Sequence, residues 1–223
     1  MRRPKLPRTL AAAAIAAALL VSGVPATPAE GTTTLKGTAL SLLGKLATAA
    51  EHPAGYRRSA FVLWIDADHD GCDTRHEVLI AESTTRVRIG SGCSIKGGTW
   101  RSAYDGRTTR AASTLDIDHV VPLKEAWDSG AWRWTATRRK AYANDLGDTR
   151  ALRAVSAASN RAKGDRDPAD WLPPSRSFRC KYATDWVAVK VRWGLKVNSA
   201  ERSALKRVLG ACPIRTVSVR LAP

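Results

Sequence analysis

Leu115-Asp116-Ile117-Asp118-His119-Val120-Val121-Pro122-Leu123 is the stretch whose reading organises the rest of the chain. Leu115 and Ile117 alternate with acidic residues, the period of a strand with one apolar face, and Val121 extends that face. Pro122 has no backbone N–H to offer a neighbouring strand, so the ladder ends before it. Side chains of adjacent strand residues point to opposite faces. Asp118 and His119 can therefore serve one site only where the strand twists or stops, and the proline puts that stop beside them.

Downstream, residues 124–132 start helical and break at Ser129-Gly130. Thr135 or Thr137 caps a helix over the segment that ends near Asn144. Residues 152–155 read as a brief strand, and 156–165 as a helical turn or short helix stopped by Gly164. Pro173-Pro174 cannot sit inside a helix, so residues 167–174 read as a loop. Two terminal helices, 182–193 and 199–209, are separated by Gly194, with Thr184, Trp186 and Trp193 as packing residues. Upstream, residues 30–55 read as a flexible lead passing into a short helix over 39–50. Residues 61–65 form a β-type apolar run, 66–77 an acidic loop and 78–84 a short ordered piece. Residues 86–106 are hairpins punctuated by Gly90-Ser91-Gly92 and Gly97-Gly98. The expected class is α+β: a strand pair and helix, flanking hairpins and C-terminal helices.

The first 29 residues follow the layout of a secretory signal peptide. Arg2, Arg3, Lys5 and Arg8 precede an apolar run of about a dozen residues, and Ala26 and Ala29 are candidate cleavage points. The run is shorter than the ~20 residues a membrane span needs, so no stable membrane anchor is expected. Cleavage removes four basic residues and leaves 32 against 20 acidic ones, a net +12. Such a surplus favours polyanions. In an exported chain, Cys72, Cys93, Cys180 and Cys212 read as two disulfides. Of the three pairings, Cys72–Cys93 with Cys180–Cys212 brackets contiguous blocks and closes the shorter loops.

The chemistry-bearing residues fall in two clusters. His119, one of four histidines, follows Asp118; further on, Asn160, Arg161, Lys163 and Asp165 lie within six residues. Phosphodiester hydrolysis needs a base for water, a hard cation to offset developing charge, and cationic groups to hold phosphate. Asp and Asn oxygens suit Mg²⁺, and an unperturbed imidazole can take a proton near pH 7.

Asp118-His119-Val120-Val121-Pro122-Leu123 with Asn160-Arg161-Ala162-Lys163-Gly164-Asp165 resembles the HNH endonuclease superfamily. More narrowly, it is similar to a secreted actinobacterial group of the DUF1524 type, related to the C-terminal region of a modification-dependent restriction endonuclease. Gly71-Cys72-Asp73-Thr74-Arg75 and Trp171-Leu172-Pro173-Pro174 look like the same group, and the resemblance covers residues 55–212. It implies a ββα-metal core within a domain over 56–223, in which His119 is the general base and Asp118 and Asn160 hold the metal. Lys163 and Arg161 would steady phosphates, and the product would carry a 5′ phosphate. The middle position of the HNH pattern, commonly an Asn that pins the loop between the strands, falls at Ala151; Asn144 lies seven residues earlier.

A second motif lies upstream. Asp66-x-Asp68-x-Asp70-Gly71, with Glu77 at the twelfth position, matches a calcium-loop pattern, although its flanks do not read as two helices. The expectation is a secreted, monomeric endonuclease acting on nucleic acid, DNA before RNA, with Mg²⁺ or alternatively Mn²⁺, and Ca²⁺ at a second site. The rival is a non-catalytic basic module that binds cell envelope or extracellular DNA, with a calcium-stiffened loop.

Overall fold

The computed structural model describes residues 33–223; the leader expected over residues 1–29 lies outside them. The segment expected as a flexible lead instead opens the fold. β1 (Thr34–Thr38) is followed at once by α1 (Ala39–Lys45), which Thr38 caps by accepting from Ser41 N at 3.1 Å. The β-type run at 61–65 is irregular rather than a strand: Trp64 sits at φ +55, where no ladder can continue. Residues expected as the end of the acidic loop and a short ordered piece form α2 (Thr74–Ala81), because Asp73 caps it by accepting from His76 N at 3.0 Å.

The glycine-punctuated stretch makes two small antiparallel pairs, as expected. These are β2 (Arg88–Ile89) with β3 (Ile95–Lys96), and β4 (Trp100–Arg101) with β5 (Thr108–Thr109). The central strand is β6 (Leu115–His119), followed by α3 (Leu123–Asp128) and by α4 (Ala136–Ala143), capped by Thr135. β7 (Leu152–Ser156) returns antiparallel to β6 and runs straight into α5 (Ala157–Lys163), ended by Gly164 at φ +56. α6 (Arg179–Trp193) and α7 (Ser199–Gly210) come next. β8 (Thr216–Arg220), where Val217 and Val219 alternate with polar residues, is not among the expected elements; it pairs antiparallel with β1.

α6 is the axis of the core. Tyr182, Ala183, Trp186, Val187, Val189 and Trp193 are buried on it, and α1 and α7 pack against it. Both disulfides form as paired in the sequence, Cys72–Cys93 bracing the acidic loop and Cys180–Cys212 joining α6 to the end of α7. Among the described residues, no helix is long and apolar enough to cross a membrane.

One ammonium is sealed into this core. Lys190 lies 2.6 Å from both Glu125 Oε1 and Glu201 Oε1 and also donates to Lys196 O at 2.8 Å. One cation cannot fully offset two buried carboxylates. Burial, opposed by Lys190 and reinforced by Glu201, pushes the Glu125 carboxyl up to about 8. The folded value exceeds the unfolded one of about 4.3. The associated stability is therefore intact at acid pH and is lost as pH rises through about 8. Glu125→Gln, which cannot ionise, should gain on the wild type as pH rises from 5 to 9. Thermal melts should show the difference moving in the variant's favour by about 3 °C or more, on a scale of roughly 2–4 °C per kcal/mol. A constant difference across that range would refute the assignment.

Candidate functional site

β6, β7 and α5 form two antiparallel strands followed directly by a helix. In the register, Asp118 lies opposite Arg153 and His119 opposite Leu152. Where β6 ends, a cleft of about 200 Å³ opens, lined by Arg58, Asp118, His119, Pro122, Asn160, Arg161 and Asp165 among others. The structure thus brings together Asp118, His119, Asn160 and Arg161. It adds Arg58, whose sequence surroundings gave no signal. A larger groove of about 740 Å³ lies against the Cys180–Cys212 bridge. Of its charged lining residues, Lys181 is paired with Asp185, and Arg150 with Asp148 outside the groove.

Asp118 and His119 take partners on opposite sides of the strand, as alternation requires. Asp118 is held from the interior: Tyr104 Oη donates to Oδ2 at 2.5 Å and Lys163 Nζ to Oδ1 at 2.8 Å. Lys163 also donates to His119 O at 2.9 Å and is fully buried. The surface phosphate role expected for Lys163 is therefore corrected: its ammonium is turned inward as the counter-charge of Asp118. Burial is the largest influence on both groups, raising Asp118 and lowering Lys163, and each one's attraction opposes the shift of the other.

His119 is fixed by its ring nitrogen. Nε2 lies 2.9 Å from Ala143 O, and a carbonyl can only accept, so Nε2 carries the proton. The lone pair of the neutral ring is then on Nδ1, which has no protein partner among the described residues. Burial, only partly opposed by the bond to Ala143, lowers its pKa to about 4, with Lys163 and Arg58 acting in the same direction. Trp64 and Tyr142 stack near the ring at 5.9 and 6.2 Å between centroids.

The middle position of the pattern falls at Ala151, but the side chain that makes pinning hydrogen bonds in the segment between β6 and β7 is Asn144. Its Oδ1 accepts from Ile65 N at 3.1 Å and Thr74 Oγ1 at 2.9 Å, and its Nδ2 donates to Val62 O at 2.7 Å and Lys140 O at 2.8 Å. Ala151 contributes only backbone, accepting from Val120 N at 3.0 Å. Asn144 thus holds the residues on both sides of Trp64, and its neighbour Ala143 holds the histidine.

Asn160 Nδ2 donates to Asp116 Oδ2 at 3.0 Å. A carboxylate can only accept, so the amide oxygen is the end left free. Upstream, Asp66, Asp68 and Asp70 each place a carboxylate oxygen within 4.8 Å of the others, and Gly71, at φ +92, donates to Asp66 Oδ2 at 3.0 Å. Glu77, on the first turn of α2, has its carboxyl pushed up by burial and by Asp70, Asp68 and Asp66. The three aspartates therefore converge, and Glu77 reaches Asp70, with a helix on the exit side only.

Residues 76–208 match the family of GmrSD restriction endonucleases, C-terminal domain. The chain belongs to that family. The GmrSD-type segment takes in Asp118, His119, Asn144, Asn160 and Lys163, and begins after Arg58 and the three aspartates. An "Uncharacterized secreted protein" of Arthroderma benhamiae is 42% identical over 201 residues, covering 89% of this chain and 97% of the relative. No solved structure matches. The protein is secreted, in keeping with its paired cysteines and this relative.

Asn144→Ala removes four hydrogen bonds from a half-buried amide. Denaturant unfolding should show a loss of roughly 2–4 kcal/mol, at ~1 kcal/mol per bond, and tryptophan fluorescence should report a less ordered Trp64. A loss under about 0.5 kcal/mol would mean that water replaces the pin.

Proposed function

We propose that the protein is a secreted, monomeric, metal-dependent endonuclease of the HNH type that hydrolyses phosphodiester bonds in nucleic acid, with DNA preferred. The observation that carries this reading is the tautomer of His119. Its proton is committed to Ala143 O, which leaves Nδ1 unpartnered among the described residues on a ring that lines the same cleft as Asp118 and Asn160. Family membership supports a nuclease. A ring with its pKa lowered to about 4 is neutral at pH 7, the form a base requires.

Asp118 and Asn160 would hold a divalent cation, Mg²⁺ in preference and Mn²⁺ as substitute. A carboxylate and an amide carbonyl are both hard oxygen donors. When bound, the ion supplies charge neutralisation at the phosphate and the departing oxygen. His119 Nδ1 takes a proton from water, whose oxygen bonds to phosphorus as the P–O3′ bond breaks. The products are a 5′ phosphate and a 3′ hydroxyl that gains its proton from solvent. Arg161 and Arg58, exposed at the cleft, hold the phosphate oxygens. The +12 charge of the chain without residues 1–29 draws the polyanion in. The competing reading is a binding module for envelope polymers or extracellular DNA, which would use the same charge without needing His119.

Plasmid cleavage with Mg²⁺, abolished by EDTA, is the first expected result. His119→Ala should lose about 10²–10⁴-fold in rate while retaining the fold and metal binding. Asp118→Ala should lose activity that excess Mn²⁺ partly restores. Asn160→Ala should behave likewise but more mildly, because a neutral carbonyl attracts a cation less than a carboxylate does. A folded His119→Ala protein that cleaves at the wild-type rate would end this reading in favour of the binding module.

A calcium ion is proposed at Asp66, Asp68, Asp70 and Glu77, where a dication would reverse the mutual repulsion of the acids. Millimolar Ca²⁺ should raise the melting temperature of the wild type but not of Glu77→Gln. Identical melts with and without Ca²⁺ would leave this segment a plain loop.

A further inference from the structure

Tyr104 belongs to none of the motifs that mark the cleft, yet it makes the shortest contact to it. It sits in the turn between β4 and β5, where Gly106 at φ +75 closes the chain back on Ser102 O at 2.8 Å. Its ring is fully buried against Trp171, Phe178 and Tyr182, at 5.2, 6.0 and 5.6 Å between centroids. Packing on three sides fixes the ring and so fixes where the hydroxyl points, which is at Asp118 Oδ2, 2.5 Å away.

A carboxylate held by one oxygen can still turn about its Cβ–Cγ bond, since that torsion is broad and roughly two-fold. Asp118 is held by both: Tyr104 donates to Oδ2 and Lys163 to Oδ1. Two donors on two oxygens set the plane of the group. Each oxygen has two lone pairs and spends one inward, so one on each remains for the cleft.

The neighbouring residue braces the start of the helix that carries the other oxygen donor. Asp105 Oδ2 accepts from Ser156 Oγ at 2.5 Å and Ser159 Oγ at 2.9 Å, at the start of the helix that carries Asn160. Burial raises the Asp105 carboxyl, but these hydrogen bonds, with another from Arg107 N, bring it below its ordinary value. One tight turn therefore bears on Asp118 through residue 104 and on the base of α5 through residue 105.

We infer that Tyr104 is a positioning residue: with Lys163 it fixes the Asp118 carboxylate in the orientation that receives the cation, and so sets how tightly the cation is held. The inference rests on the endonuclease reading of Asp118, and it extends that reading to a residue that never touches substrate. Partners of this kind commonly change metal affinity by about 10–100-fold when removed.

The decisive variant is Tyr104→Phe, which deletes one oxygen and leaves the ring in its packing. Tyr182→Phe is the control. Its hydroxyl is buried in the same aromatic cluster and, among the described residues, has no partner, so its loss tests packing in that cluster without removing a bond to Asp118. Mn²⁺ binding is measured by calorimetry on the full mature protein without substrate, well below the melting temperature of each variant, alongside kcat and KM on DNA. Tyr104→Phe should weaken Mn²⁺ binding about ten-fold or more and lower kcat with KM for DNA unchanged, while Tyr182→Phe should match the wild type in both. Wild-type Mn²⁺ affinity in Tyr104→Phe, or an equal loss in both variants, would overturn the positioning role while leaving the nuclease reading standing. A wild type that neither binds Mn²⁺ nor cleaves would overturn both together.

Discussion

The last turn of a helix carries carbonyl groups that the helix itself cannot satisfy, and the cleft is built on the end of α4. Ala143 O accepts from His119 Nε2, and Lys140 O accepts from Asn144 Nδ2, whose oxygen reaches back to Ile65 and Thr74. Two consecutive residues thus dictate the tautomer of the histidine and the course of the loop that stacks Trp64 near it. Asp145 continues the series. It accepts from Arg192 at 2.7 and 2.8 Å and from Trp193 Nε1 at 2.8 Å, which ties the same helix end to the end of α6. Residues 143–145 are the joint between the core axis and the site.

Buried charge explains much of the remaining architecture. A sealed ion left unpaired costs several kcal/mol, so each one here recruits a distant element. Lys163 joins α5 to the end of β6; Lys190 joins α6 to α3 and α7; Arg153 joins β7 to Glu82 and Asp185. The strand pairs are short, two of them only two residues a strand, so backbone ladders could not supply these connections. Positive charge does two jobs in this chain. Some of it faces solvent and polyanions, and some is the internal mortar of a small α+β fold.

What was legible in the sequence was what is local. The strand around Asp118-His119, its stop before Pro122, the short helix ended by Gly164 and both disulfide pairings come from period, proline, glycine and spacing. What was not legible depends on tertiary partners. β1 carries little strand signal, whereas Thr216-Val217-Ser218-Val219-Arg220 alternates as a half-buried strand does, a local signal that went unused; the two, from opposite ends of the fold, pair with each other. The apolar run at 61–65 has strand composition, but Asn144 pins it on both sides and holds Trp64 at positive φ, so tertiary bonding overrides propensity. Lys163 looked like a surface charge because nothing in its neighbours announces that Asp118 needs a buried counter-ion. The one overlooked signal at the site was Tyr104-Asp105-Gly106 between two strand-like runs. It is a turn by composition, and its tyrosine and aspartate are both committed inward.

The acidic loop and the cleft share a hinge rather than a surface. Thr74 N and Oγ1 both donate to Ile65 O, at 2.9 and 3.0 Å, which closes residues 65–74 into a ring. Asn144 grips that ring at its neck, and Cys72–Cys93 ties down its exit side. Asp66, Asp68 and Asp70 lie inside that ring, and Glu77 adds its charge from the first turn of α2. The residue just outside the neck is Trp64, which stacks near His119. The neck and the wall against which the histidine ring rests thus share one anchor: a single asparagine carries four hydrogen bonds at a place where the sequence pattern shows an ordinary helix end.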